Sequence, residues 1–175
     1  EHELGLRIEH TKATGQEFTT NNEFYQKYTK VFPSLSIQYQ FNNKNNINII
    51  YNKSIKRPPY KSLISYTYYI DSLNQIIGNP NLKPAFSNNF EINYTHNNIT
   101  ITANYNSSND GIVRVYGQTS SSKLVYQTYE NLNNLRIFGL ALSIPINIQN
   151  WWKYYTYIYI YNTHYKGSIT ANPVN

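Results

Sequence analysis

Apolar and polar residues alternate with period two along most of this chain, which is the signature of β-strands with one apolar and one wet face. The first strand reads Glu3 to Glu9: Leu4, Leu6 and Ile8 point one way, Glu3, Arg7 and Glu9 the other. The second is the most regular, with Pro33, Leu35, Ile37, Tyr39 and Phe41 opposed to Ser34, Ser36, Gln38, Gln40 and Asn42. The third, residues 47 to 55, sets Ile47, Ile49, Tyr51 and Ile55 against Asn48, Asn52 and Ser54, and Ile50 interrupts the pattern. The fourth carries Phe90, Ile92 and Tyr94. The fifth carries Ile99, Ile101, Ala103 and Tyr105, kinks near Asn109-Asp110-Gly111 and runs to about Tyr116. The sixth spans about 123 to 146 with a break at 131 to 134, and places Phe138, Leu140, Leu142 and Ile144 on one face. The seventh, about 153 to 165, alternates Tyr155, Tyr157, Tyr159 and Tyr161 with Thr156, Ile158 and Ile160.

The connections alternate in length. Asn42 to Asn46, His96-Asn97-Asn98 and Asn147 to Asn150 read as tight turns, and Gly117 to Ser122 as a Ser-rich turn. The polar run from Thr11 to Lys30, with Gly15, Asn21 and Asn22, reads as a broad loop. A second long loop runs from Ile55-Lys56-Arg57-Pro58-Pro59-Tyr60 to Gly78-Asn79-Pro80-Asn81-Leu82-Lys83-Pro84. The proline pair ends a strand, because proline lacks the N–H that a ladder needs and restricts the residue before it. The segment from Ser62 to Gly78 has room for a short helical turn; no other helix is expected.

An apolar sheet face must be covered. In a sandwich a second sheet covers it; in an outer-membrane barrel lipid does, and the wet face lines the lumen. Strand length favours the barrel, since a tilted spanning strand needs roughly 9–11 residues and ordinary strands peak near 5–6. The barrel also accounts for short turns on one rim and long loops on the other. Two other architectures remain: a soluble or surface-attached β-sandwich that binds carbohydrate, and a small passive outer-membrane barrel.

Composition agrees with a β protein. Tyr accounts for 19 of the 175 residues, and Cys and Met are absent. Aromatic and β-branched residues suit a pleated surface and argue against disorder. No stretch is long and apolar enough for a membrane helix, and no signal peptide opens the chain. The lack of a starting Met suggests a piece of something longer. Without Cys there is no disulfide framework or thiolate metal site. The net charge of +6 is spread thinly, so nucleic-acid binding has no support.

The motifs Ser54-Ile55-Lys56-Arg57-Pro58-Pro59-Tyr60 and Gly78-Asn79-Pro80-Asn81-Leu82-Lys83-Pro84, each beside an alternating strand, resemble the barrel of TonB-dependent outer-membrane receptors. The branch that it looks most like is the outer-membrane β-barrel family common in Bacteroidetes. Phe32-Pro33-Ser34-Leu35, Gly139, and Trp151-Trp152 after Pro145 extend the resemblance over nearly the whole chain. One departure is Ala85, where the family pattern usually has Glu. The resemblance implies an all-β, antiparallel up-and-down transmembrane barrel of about 22 strands with a plug inside, of which residues 1–175 form about seven long strands. It implies a Gram-negative outer membrane, contact with lipid, and import of a scarce nutrient (iron chelate, cobalamin or glycan) powered through TonB. The plug, the segment that engages TonB and the terminal strand are expected outside this chain. A partner lipoprotein lid is left open, and neither cofactor nor enzymatic activity is implied.

Site residues follow from position. Tyr60, Tyr66, Tyr68 and Tyr69 lie on the long loop, which on an outward-facing rim meets the ligand first. Trp151 and Trp152 beside a tight turn, with Phe41 and Tyr94 at comparable heights, are membrane-interface aromatics. The tyrosine ladder of residues 155 to 161 offers flat amphipathic area for a sugar or chelate, but interface anchoring or packing on a plug explains it as well. His2, His10, His96 and His164 lack metal-ligand spacing, and His96 sits in a turn. Glu3, Arg7 and Glu9 suit an ion-pair ladder on a solvated wall.

Overall fold

The computed structural model describes residues 1–17, 22–64, 66–118 and 123–167. Seven long strands carry the fold: β1 (His2–Glu17), β2 (Asn22–Asn42), β3 (Asn45–Lys56), β6 (Ala85–His96), β7 (Ile99–Gln118), β8 (Val125–Gln149) and β9 (Trp152–Lys166). Between β3 and β6 the chain forms a helical turn α1 (Tyr60–Leu63) and two short strands, β4 (Thr67–Tyr69) and β5 (Asn74–Ile77). All belong to one sheet. The long strands pair antiparallel with their neighbours in chain order, and only β5 joins parallel, on β8. The sheet is open: among the described residues β1 pairs only with β2, and β9 only with β8.

Register carries the alternation from strand to strand. One row runs Leu35, Tyr51, Phe90, Tyr105, Phe138; the next runs Ile37, Ile49, Ile92, Ala103, Leu140, Ile160. Directly opposed residues share a face, so these rows form one continuous apolar surface. No second sheet covers it among the described residues, and Leu4 is 83% exposed, Ile160 71%. That arrangement removes the sandwich, whose apolar face would be internal.

The other face is polar and bonded to itself. Asn106 donates to Asn89 Oδ1, and the Asn89 amide donates to Asn52 Oδ1 at 2.8 Å and to Ser54 Oγ at 3.0 Å. Thr102 donates to Asn93 Oδ1 at 2.6 Å, and Asn93 to Glu91 at 2.7 Å. Ser87 and Ser108 also pair. Amide and hydroxyl side chains thus link β3, β6 and β7, and the Glu91 carboxylate is the one charged acceptor among these bonds.

Three sequence expectations need correction. The run from Thr11 to Lys30 is not a broad loop: β1 and β2 continue as a ladder through His10↔Thr29 and Lys12↔Lys27 to Glu17↔Asn22. Neither face of this extension is continuously apolar, so polarity marks a ladder that leaves the hydrocarbon rather than the end of pairing. The connection after the first strand is therefore not long; residues 18–21 lie outside the described residues, as do residues 119–122 of the Ser-rich turn. The break at 131 to 134 is likewise absent, because β8 runs unbroken. The kink near Asp110 is real: its φ is 55°, and Ser108 and Gly111 line the same groove, so strict alternation fails there. The tight turns fall where expected, at the β2–β3, β6–β7 and β8–β9 junctions.

The buried residues lie mostly near the loop-side end. Leu82 is 1% exposed and Leu132 4%, and Leu63, Val115 and Tyr126 are also buried. Above Ser34↔Asn52, where β2 and β3 stop pairing, rings replace the ladder. Phe86 meets Tyr28 edge-on with centroids 5.9 Å apart and stacks with Phe32 at 6.4 Å. Leu140, in mid-row on the apolar face, provides a test of what that face meets. Leu140→Arg is expected to destabilise the full-length protein in lipid by about 2–4 kcal/mol if the face meets hydrocarbon. Leu140→Val should cost less than about 1.5 kcal/mol. Urea unfolding and heat-modifiable gel mobility measure both.

Candidate functional site

The loop between β3 and β6 is organised by its turn residues. Pro58-Pro59 ends β3, and α1 starts at once, with Ser62 N–H donating to Pro59 O at 2.9 Å. Asp71 then holds the β4–β5 turn. Its Oδ1 accepts from the backbone N–H groups of Leu73 at 2.8 Å and Asn74 at 2.9 Å, and the Asn74 amide donates back to it. These bonds hold the Asp71 carboxyl below its ordinary pKa, the Asn74 side chain contributing most.

The Asn-Pro-x-Leu-x-Pro stretch docks the loop on the sheet. Asn79 Oδ1 accepts from Asn81 N–H, and its amide donates to Tyr129 O, both at 2.9 Å. Asn131 accepts from Lys83 N–H at 2.8 Å and donates to Lys83 O at 2.9 Å and to Asp110 O at 2.7 Å. Gln26 reaches Leu82 O from β2 at 2.9 Å. Asn131, in the stretch read as a break in β8, is therefore a residue that binds the loop, whereas Asn134 donates to Asn109 of β7. Ala85 is buried opposite Lys56, so the departure from the family pattern sits at the ladder's end rather than in the loop.

Arg57 ties the loop to the first hairpin: it bonds Glu9 and donates to Tyr28 Oη at 3.0 Å. Glu9 also pairs with Arg7 at 3.2 Å. The Glu9 bond is the largest of the contacts that raise the Arg57 pKa. The wall ladder thus comprises Arg7, Glu9 and Arg57; Glu3 takes no part in these two ion pairs.

The loop tyrosines divide. Tyr66 and Tyr68 line one cavity of about 490 Å³ together with Lys61, Ile64, Ile76 and Tyr129. Tyr69 follows Tyr68 in β4 and so points to the opposite side, and Tyr60 stands exposed at the start of α1. Tyr129 belongs to β8, 61 residues after Tyr68, and no local signal marks it. Arg114 lies over its ring at 5.8 Å.

Phe41, Tyr94, Trp151 and Trp152 all lie at the tight-turn end, and all four are exposed. The two indoles stack at 6.1 Å, and the Tyr94 hydroxyl donates to Asn45 Oδ1 at 2.9 Å. The tyrosine ladder lies elsewhere. Register sets Tyr155, Tyr157, Tyr159 and Tyr161 opposite Pro145, Ser143, Ala141 and Gly139, which is the polar face. Interface anchoring, which needs the apolar face, does not apply to it. Small opposing residues leave room for the rings: Tyr159 stacks on Tyr157 and Tyr161 and donates to Asn104 Oδ1 at 3.3 Å. Among the described residues no three His, Asp or Glu gather as a metal site; His96 meets Asn45 at the turn and His10 meets Thr29.

Several solved structures share this fold. The siderophore receptor PirA from Pseudomonas aeruginosa matches with a TM-score of 0.63 and 16% identity, over 82% of this chain and 30% of the receptor. The hemophore receptor HasR of Serratia marcescens, solved with its hemophore HasA and heme, matches with a TM-score of 0.56 and 14% identity, over 95% of this chain and 30% of that one. The ferric enterobactin receptor PfeA from Pseudomonas aeruginosa, a Q482A mutant in complex with enterobactin, matches with a TM-score of 0.53 and 16% identity, over 77% of this chain and 23% of the receptor. The chain thus spans less than a third of each receptor's length. No curated protein matches it in sequence.

Two expectations follow from the loop geometry. At Gly78 a Cβ would stand 1.8 Å from the backbone oxygen of Ile64, which cannot swing aside as a side chain could. Gly78→Ala should therefore undock the loop at a cost of roughly 1–3 kcal/mol, read as faster proteolysis between Tyr60 and Pro80. The Asp71 contribution to the β4–β5 turn is fully present above the unfolded carboxyl value and fades as pH falls through the lower folded value. Amide exchange at Leu73 and Asn74 should accelerate in acid, and Asp71→Ala should abolish that dependence.

The whole length of the chain, residues 1–175, matches the family described as outer membrane protein beta-barrel family, and the unclosed sheet with one apolar and one self-bonded polar face is the wall such a barrel requires: the chain belongs to that family.

Proposed function

We propose that this chain is part of the barrel wall of a TonB-dependent outer-membrane receptor that binds and imports a scarce nutrient, an iron chelate, cobalamin or a glycan. The observation that carries the reading is the full-length family match on a sheet that overlays the walls of siderophore and hemophore receptors. The plug, the TonB-engaging segment and the remaining strands belong to the larger protein. The chain binds rather than catalyses. A lipoprotein lid over the loop side is compatible with the long β3–β6 loop.

Tyr66 and Tyr68 are the best-placed ligand contacts, because they share a cavity with Tyr129 and Lys61. Tyr60 and Tyr69 stand outside that cavity and serve as outer contacts. Trp151, Trp152, Phe41 and Tyr94 anchor the opposite rim at the lipid–water interface, where amphipathic rings are favoured.

The experiment is ligand binding to the full-length protein in detergent, followed by intrinsic fluorescence, with ferric siderophores, heme, cobalamin and oligosaccharides as probes. A saturable ligand whose uptake by cells needs TonB is the expected result. Tyr66→Ala with Tyr68→Ala should raise its Kd about tenfold, as loss of central aromatic contacts does. Passive diffusion of small solutes, unchanged without TonB, would overturn the receptor reading.

A further inference from the structure

Near its loop-side end the apolar face carries a row of hydrogen-bond donors. One step beyond Tyr51, Phe90, Tyr105 and Phe138, the register aligns Lys53, Asn88, Ser107, Arg136 and His164 across β3, β6, β7, β8 and β9. These residues lie on the same face as the apolar rows and at its loop-side end. The Tyr51 hydroxyl donates to Asn88 Oδ1 at 3.1 Å, so the oxygen is occupied and the NH₂ is the part of the amide left to donate. On the β1–β2 hairpin, two pairs beyond Ile8↔Val31, Lys12 stands directly opposite Lys27.

The charge on this face is one-sided. Leaving aside β7 and β8 beyond the Asp110 kink, its described strand cations are Lys12, Lys27, Lys53, Arg136 and Lys166, all toward the loop side, and none is in an ion pair. Glu3, Glu9 and Glu91 fall by register on the polar face instead. Outside that stretch, the acid on the apolar side is Glu23, which comes only two same-face pairs beyond Lys27. Like charges directly opposed on a ladder destabilise it, so Lys12↔Lys27 is costly unless an anion lies between them. At the tight-turn end the same face carries Phe41, Tyr94 and Trp152 with no strand Lys or Arg. A merely solvated surface has no reason to place its cations at one border of the apolar belt.

We propose that this border is a binding site for the phosphate groups of anionic lipid in the loop-side leaflet. Arg136 and Lys53 supply the charge, and Asn88 and Ser107 donate between them. Lys12 and Lys27 hold a second phosphate at the first hairpin. Acyl chains then lie along the rows below, which fixes the vertical position of the wall. The inference rests on the family fold and not on the transport reading, so a failed uptake assay leaves it standing.

The test uses the full-length protein in phosphatidylcholine nanodiscs doped with bis-phosphorylated lipid A, with retained lipid counted by native mass spectrometry. Wild type should retain lipid A and release it as salt rises. Lys53→Gln with Arg136→Gln should weaken retention about tenfold or more, since each cation near an anionic surface contributes separately, while Lys53→Arg with Arg136→Lys should keep it. Heat-modifiable mobility checks that each variant is folded; if the Gln pair does not fold, Lys12→Gln with Lys27→Gln gives the same reading at the hairpin. Equal retention by wild type and the folded Gln variants would overturn the proposal. So would displacement by millimolar inorganic phosphate, which would make the site one for free phosphate.

Discussion

The structure depends on an antiparallel ladder whose register is fixed from each long strand to the next. In lipid every backbone N–H and C=O must be satisfied within the protein, so the wall tolerates no gap at membrane depth. Side chains alternate with period two, so a slip of one residue would turn Asn52, Asn89 and Asn106 toward hydrocarbon and bring Tyr51, Phe90 and Tyr105 into the lumen. The polar face resists that slip. Its amides bond across three strands, and each bond forms only in the native register.

The abundance of asparagine follows from the same constraint. A lumen wall needs side chains that both donate and accept, so that neighbours satisfy one another without buried charge. Asn89 does this between Asn52 and Asn106, and Asn93 between Glu91 and Thr102. Near the loop the same side chain has another task. Asn79 and Asn131 bond backbone groups of a segment that has no ladder of its own, and so replace sheet pairing where pairing stops. The irregular loop is held through Leu82 and these two asparagines.

Glycine and small residues set where rings can lie. Gly139 leaves the space taken by the Tyr159 ring and Asn104, because a Cβ there would stand 2.4 Å from the Tyr159 hydroxyl. Ala141 and Ser143 continue that small strip beside Tyr159 and Tyr157. The tyrosines therefore line the lumen as an ordered stack rather than standing in lipid.

Alternation is local, and the sequence alone determined what rests on it: seven long strands, the two alternating sets of residues on each, three tight turns, the kink at Asp110 and a long Pro-bounded loop. It could not determine how far the strands continue past the membrane. From Thr11 to Lys30 neither face is continuously apolar, and hydropathy no longer distinguishes strand from loop. The polar run at 131 to 134 misled for a related reason, since its Asn131 serves a loop some fifty residues earlier in the chain. Nor does the sequence carry the face of a strand across a turn. The register shift between Asn147 and Gln149 breaks the count, so the side taken by the tyrosine ladder was settled only by pairing with β8. Tertiary structure alone brought Tyr129 to Tyr66 and Tyr68, and aligned Lys53 with Arg136 and His164, because such meetings depend on strand register and loop docking.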